Sequence, residues 1–185
     1  MALAEVTAHS NTTDRSTMQH PGVQVSTPSD TTISLTRRFA APRAHVWQAM
    51  LTPALMRRWM TPPPGWEMTV CECDPRPAGG LRLVWRGGEE GGNQTMALYG
   101  VFTEVVPNER ITHTENFVLG NGDVIGVQVE THAFTEQGGV TTLHITQVHS
   151  SKEARDAAVS TGLGESMEAG FRRLDEVLAG VSSAR

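Results

Sequence analysis

Cysteine is scarce in this chain. Its two cysteines, Cys71 and Cys73, are separated by a single residue. On an extended strand, two side chains at this spacing point to the same face, with α-carbons near the outer limit for a disulfide. Two thiolates are also too few to complete a zinc site. We therefore predict buried or half-buried structural thiols, and we take the cytoplasm as the default compartment.

Basic residues are scarce as well. Acidic residues outnumber them by 20 to 15, and the resulting formal charge of -5 disfavours binding to nucleic-acid phosphates. The apolar runs are too short to span a bilayer, and the N-terminus has no basic region followed by an apolar core. We expect no nucleic-acid partner, no membrane partner and no secretory signal.

The motifs of several common chemistries are missing. The sequence shows no pattern of an activated serine or cysteine triad and no closed metal motif. The glycine-rich segment 87–92 lacks the Lys-Ser/Thr pair of a phosphate-binding loop, and we interpret it as a hairpin loop. The sequence therefore predicts no catalytic residue, no metal and no cofactor, and an enzyme is the less favoured class.

The hydrophobic periodicity that is present indicates one α+β domain. A chain of 185 residues suits a single core. Residues 1–29 are rich in Ser and Thr and predict a flexible leader, with only a weak strand signal at 23–25, before a domain at 30–182. A strand at 31–39 precedes two short helices. Alternating segments between 66 and 149, joined by short turns, then predict an antiparallel sheet.

The C-terminal segment predicts one long helix over residues 151–179. Ser151 is a suitable N-cap. A continuous apolar stripe recurs at helical spacing and consists of Leu163, Met167, Phe171, Leu174 and Leu178. Glycines along this segment oppose helix formation, and they also permit close approach to a sheet.

Several segments resemble a known family when they are taken together. They are residues 39–49 (FAAPRAHVWQA), Thr52-Pro53, Trp59, residues 74–80 (DPRPAGG), residues 102–111 (FTEVVPNERI) and residues 167–171 (MEAGF). As a set, they are similar to the activator-of-heat-shock-chaperone-ATPase-like (Aha-type) family of the START-like (SRPBCC) superfamily. The resemblance covers about residues 31–180.

This resemblance implies a helix-grip fold, in which a curved antiparallel sheet wraps around a long C-terminal helix. It also implies a space between sheet and helix that holds a small apolar or amphipathic molecule. It does not imply a shared reaction, since a fold does not determine chemistry. A homodimer stays open, and a chaperone partner is suggested only by the family name.

Strand parity sorts the polar residues that could face such a space. Ile111 and Phe117 mark the inward face of one strand and place His113 and Glu115 beside them. The same reasoning, with the apolar stripe of the last helix, gives a set of expected ligand-binding residues: Trp85, Tyr99, His113, Glu115, Thr131, Gln147, Met167 and Phe171. For His113 and Glu115 the alternative is that they pair with each other, with Arg82 or with water.

Three further titratable residues, Glu130, His132 and His144, have the opposite parity. The apolar residues Ile125, Val127 and Val129 suggest the inward face of their strand, so we expect Glu130 and His132 on a solvated outer face. A metal site among these three would need converging ligands that parity does not provide.

The sequence is consistent with three alternative functions. The first is a binding protein that encloses an apolar ligand, in a stress response or in lipid or metabolite handling. The second is an enzyme of cyclase or hydrolase type, with His113, Glu115 and Tyr99 as acid-base groups. The third is a chaperone-binding module, which only the family name suggests.

Overall fold

The computed structural model describes residues 22–60, 65–89 and 92–182. Within these ranges the chain forms eight strands and four helices. Their bounds are β1 Gln24–Ser26, β2 Thr32–Phe39, α1 Arg43–Leu51, α2 Pro53–Trp59, β3 Trp66–Cys73, β4 Gly80–Gly87, β5 Thr95–Val106, β6 Arg110–Leu119, β7 Val124–Gln137, β8 Val140–His149, α3 Lys152–Ser160 and α4 Leu163–Ser182.

All eight strands belong to one antiparallel sheet. Its order is β1-β2-β8-β7-β6-β5-β4-β3, so the strands from β3 to β8 form a meander and β2 closes against β8. The tight turns have the left-handed backbone conformations they require: Asn108 (φ 62) lies between β5 and β6, and Gly138 (φ 59) and Gly139 (φ 74) lie between β7 and β8. The expected curved sheet with two short helices after its first long strand is confirmed.

The core lies between the sheet and the helices α1, α2 and α4. Phe171 of α4 is fully buried and meets the ring of Phe39 edge-on, with centroids 5.5 Å apart. The Trp59 ring of α2 lies 6.0 Å from Phe171 on another side. The apolar stripe of α4 therefore packs on both the sheet and the helical layer.

The single C-terminal helix that the sequence predicts is instead two helices. Ser151 caps α3 as expected, because its hydroxyl accepts a hydrogen bond from the Ala154 amide at 3.2 Å. Gly162 then has φ +74, a left-handed conformation that ends the hydrogen-bond ladder. The expectation of one uninterrupted helix is wrong for this reason. None of the described helices combines the length and apolarity that a membrane crossing needs.

Part of the predicted flexible leader forms a strand. Its residues 1–21 lie outside the described residues, but Gln24–Ser26 pairs with β2 as strand β1. The Val23 amide donates to Glu168 Oε2 of α4 at 2.8 Å, and the buried Arg37 donates to the same oxygen at 3.2 Å. Pairing with β2 and the hydrogen bond to Glu168 together hold this segment in place.

The two cysteines lie on β3 as free thiols. Cys71 is buried and Cys73 is half-buried. Burial, with smaller contributions from Cys71 and Asp74, raises the pKa of Cys73 to about 12. A thiol with such a pKa stays protonated at neutral pH and is a poor nucleophile, as expected for a structural cysteine.

Candidate functional site

A cavity of about 620 Å³ lies between the concave face of the sheet and the helices. This volume is within the range of small-molecule pockets, about 300–1,000 Å³. Its walls are mainly apolar and include Met56, Trp59, Leu83, Trp85, Met96, Leu98, Phe102, Phe117, Ile145, Leu163, Met167 and Phe171.

One part of the cavity wall is polar. Seven buried side chains of three adjacent strands form it, and we call them the polar cluster: His113 and Glu115 of β6, Gln128, Glu130 and His132 of β7, and Gln147 and His149 of β8. They occupy alternate positions on each strand and therefore share the concave face. In the sheet register Glu130 lies opposite His113 on one side and Gln147 on the other.

Two His–Glu pairs make up the centre of the polar cluster. His113 Nε2 lies 3.1 Å from Glu115 Oε1, and His132 Nε2 contacts Glu130 Oε1. The imidazole rings of His113 and His132 meet edge-on, with centroids 5.6 Å apart. The two pairs therefore form one continuous network across β6 and β7.

Each carboxylate is also held by a glutamine. The Gln128 side-chain amide donates to Glu115 Oε2 at 2.7 Å, and the Gln147 amide donates to Glu130 Oε2 at 2.6 Å. One oxygen of each carboxylate is thus fixed by an amide, while the other is directed at a histidine.

Several polar atoms of the cluster have no hydrogen-bond partner within the described structure. They are Nδ1 of His113, Nδ1 of His132, Nε2 of His149 and the side-chain carbonyl oxygen of Gln147. An unpaired buried polar group costs about 1–3 kcal/mol. These atoms are therefore available to hydrogen-bond a bound molecule.

The electrostatics of the cluster follow from burial and from its two carboxylates. Burial, followed by the charge of Glu130, raises the pKa of Glu115. Burial opposes protonation of His113, but hydrogen bonding and charge from Glu115, together with the charge of Glu130, raise the pKa of His113. Burial acts in the opposite direction on Glu130, yet the neighbouring histidines, His132 foremost, lower the pKa of Glu130 to about 2.

His149 behaves differently from His113. Burial lowers the pKa of His149, which favours its neutral form. The polar cluster thus combines groups of opposite protonation tendency within one cavity wall, an arrangement that can bind polar groups or transfer protons. Three of its members, His113, Glu115 and Glu130, also offer ligand atoms within 4.8 Å of one another, close enough to hold a metal ion.

Six of the expected ligand-binding residues line the cavity: Trp85, His113, Glu115, Gln147, Met167 and Phe171. Their role in binding stays a prediction. The expected alternative, in which His113 and Glu115 pair with each other, is present in the structure.

Two expected site residues point away from the cavity. Tyr99 is 42% exposed, because Leu98 and Phe102 rather than Ala97 and Val101 determine the inward face of β5. Thr131 lies on the outer side of β7, where its hydroxyl meets that of Thr112 at 3.0 Å. The expectation that these two side chains face the ligand space is wrong.

The prediction of a solvated outer face is wrong for Glu130 and His132, which are buried in the polar cluster. It holds for His144, which contacts the Ser34 and Thr36 hydroxyls on the exposed side. On β7 the apolar Val129 is 40% exposed and does not line the cavity, so hydrophobicity misassigned the inward face beside Glu130 and His132.

The turn between β7 and β8 contains the signal that could have corrected this error. A two-residue Gly138-Gly139 loop pairs Gln137 with Val140. Counting back from that pair sets Phe134 opposite Leu143, His132 opposite Ile145 and Glu130 opposite Gln147. Directly opposite residues of an antiparallel pair share a face, so the inward parity of β8 implies that of β7.

Comparison with solved structures shows the same fold in several bacterial proteins. A protein from Rhodobacter sphaeroides is 31% identical, with a TM-score of 0.74 over 85% of this chain and 98% of its own. A protein from Mycobacterium smegmatis is 25% identical, with a TM-score of 0.74 over 87% of this chain and 99% of its own. A third, from Nitrosomonas europaea, shares the fold at 22% identity, with a TM-score of 0.71 over 85% of this chain and 99% of its own.

Sequence comparison gives a family. No curated protein sequence matches the chain significantly. The profile described as "Activator of Hsp90 ATPase homolog 1-like protein" matches residues 40–179, which is most of the described domain. On this match, and on the likeness to the Rhodobacter sphaeroides protein, the chain belongs to the family of activator of Hsp90 ATPase homologue 1-like proteins.

Proposed function

We propose that this protein is a cytoplasmic binding protein that encloses a small, largely apolar molecule carrying a polar group. The observation that carries the proposal is the cavity of about 620 Å³, with apolar walls and a single polar cluster. Small-molecule sites commonly have this composition, in which apolar surface supplies affinity and a few polar groups fix orientation.

The polar cluster supports the second half of the proposal. Its unpartnered atoms include acceptors, such as the Gln147 carbonyl oxygen, and imidazole nitrogens that donate or accept according to tautomer. A ligand that carries a hydroxyl, carbonyl or amine would satisfy some of them. The apolar walls would cover the rest of the molecule.

A neutral fluorescent probe, 1-aminoanthracene, tests whether the cavity binds apolar molecules. We expect its emission to rise on binding to the wild-type protein. Met167→Trp should reduce this signal, because Met167 lines the cavity and a larger side chain would occupy part of it. Ala169→Trp is the matched control, since this position is exposed on the same helix. Equal probe binding by the two variants would refute the proposed site.

Acid-base catalysis in the same cavity is the second candidate function. The buried His113–Glu115 pair favours it. Burial, followed by the charge of Glu130, raises the pKa of Glu115. Burial opposes protonation of His113, but hydrogen bonding and charge from the carboxylates raise the pKa of His113. In a binding protein, His113→Gln and Glu115→Gln should weaken ligand binding by about 1–3 kcal/mol each. In an enzyme, the same substitutions should lower turnover of a candidate substrate about a hundredfold or more while affinity changes little.

A chaperone partner is suggested by the family name alone. Stimulation of a chaperone ATPase by the purified chain would support such a role. Unchanged ATPase rates at saturating concentrations of this protein would count against it.

A further inference from the structure

The centre of the polar cluster has the geometry of a metal site. A ring nitrogen of His113, a Glu115 oxygen and a Glu130 oxygen lie within 4.8 Å of one another, and all three side chains are buried. His113 Nε2 and Glu115 Oε1 are 3.1 Å apart, a separation common between neighbouring ligands of one ion. We propose that His113, Glu115 and Glu130 bind one divalent transition-metal ion at the cavity wall.

The sheet register explains why these ligands converge. His113 and Glu130 are directly opposite each other on β6 and β7, and Glu115 is the next inward residue after His113. Central strands of the sheet supply all three, and a site built on strands is held more rigidly than one on loops.

Charge balance supports a cation at this position. Two buried carboxylates stay ionised only when positive charge lies nearby, and without it one of them takes up a proton. A single divalent ion would supply this charge and leave the histidines neutral. Two imidazolium rings would supply the same charge without a metal, and the experiment below distinguishes these two cases.

The surrounding residues resemble the outer shell of a metal site. The side-chain amides of Gln128 and Gln147 each hold one oxygen of a carboxylate, and His132 contacts Glu130. Such outer contacts orient metal ligands and increase their affinity for the ion. The unpartnered Gln147 carbonyl oxygen, a buried acceptor beside Glu130, could receive a hydrogen bond from a metal-bound water.

One histidine and two carboxylates are a suitable ligand set for ions such as Co²⁺, Mn²⁺, Fe²⁺ or Zn²⁺. Three protein ligands would leave coordination positions open toward the cavity. The inference does not depend on the proposed ligand, because metal binding is measured directly and without an apolar probe.

Titration with Co²⁺ tests the proposal. Untagged protein is first dialysed against a chelator, and visible absorption then reports cobalt coordination. We expect one Co²⁺ per chain, displaced by one equivalent of Zn²⁺, and a rise in melting temperature when the metal is present. Absence of stoichiometric binding would overturn the proposal in favour of two imidazolium–carboxylate pairs.

Substitutions locate the ion. Glu130→Gln should weaken Co²⁺ binding at least tenfold, roughly the loss that even outer-shell changes cause. His144→Gln is the control, since this exposed histidine lies on the other face of the sheet. Circular dichroism checks folding, and Glu115→Gln replaces Glu130→Gln if that variant does not fold. Binding that is unchanged by the glutamate substitutions, or lost with His144→Gln, would refute this site.

Discussion

The Phe171→Ala substitution tests whether Phe171 belongs both to the packed core and to the cavity wall. Its side chain is 1% exposed, packs edge-on against Phe39 and also lines the cavity. Truncating a buried Phe to Ala costs about 3–5 kcal/mol. The removed ring would enlarge an existing space, so we expect Phe171→Ala to lower the free energy of unfolding by about 3 kcal/mol, at the lower end of that range.

Urea unfolding followed by tryptophan fluorescence measures this change. In a chain of this size 1 kcal/mol shifts the melting temperature by about 2–4 °C, which gives an expected decrease of about 6–12 °C. A loss below about 1 kcal/mol would refute the packing that we describe, because a surface substitution produces changes of that size.

Leu174→Ala separates the two roles of the apolar stripe. Leu174 lies further along α4 and is fully buried, but it is not among the described residues that line the cavity. Both substitutions should destabilise the protein, by about 2–5 kcal/mol for Leu174→Ala. Only Phe171→Ala should alter 1-aminoanthracene binding at a temperature where both variants are folded. Equal effects on the probe would show that Phe171 does not border the ligand space.

One deletion and two substitutions, each substitution with a control, test the packing around α4. Deleting residues 1–27 should lower the free energy of unfolding by about 1–2 kcal/mol in urea titrations, because it removes β1 and its anchoring hydrogen bond; an unchanged value would make β1 dispensable. Arg37→Met should lower the free energy of unfolding by about 1–3 kcal/mol, since Arg37 is buried between two carboxylates that are themselves partly exposed. Arg38→Met is the control, because Arg38 is exposed, and it should change this free energy by no more than about 0.5 kcal/mol. Gly162→Ala should lower the melting temperature, since φ +74 costs an L-residue about 1–2 kcal/mol. Gly180→Ala, within helix α4, should leave the melting temperature unchanged or raise it. The same change of melting temperature in both variants would refute the backbone conformation assigned to Gly162.

The sequence alone determined the strands whose apolar residues alternate without ambiguity. On β4, Leu81, Leu83 and Trp85 are all buried, as their spacing predicts. His113 and Glu115 were located correctly for the same reason, because the apolar residues that flank them on β6 face inward. Periodicity also gave the order of the elements, and the family resemblance implied the helix-grip fold.

Tertiary structure decided the remaining strands. On β5 both alternating sets are apolar, so hydrophobicity alone does not select the inward face, and Tyr99 was misplaced. On β7 the inward set is polar, because Glu130 and His132 are stabilised by Gln147, His113 and other groups of the neighbouring strands. Hydrophobic patterning detects burial from apolar character, whereas a buried polar network becomes favourable only when its partners are assembled.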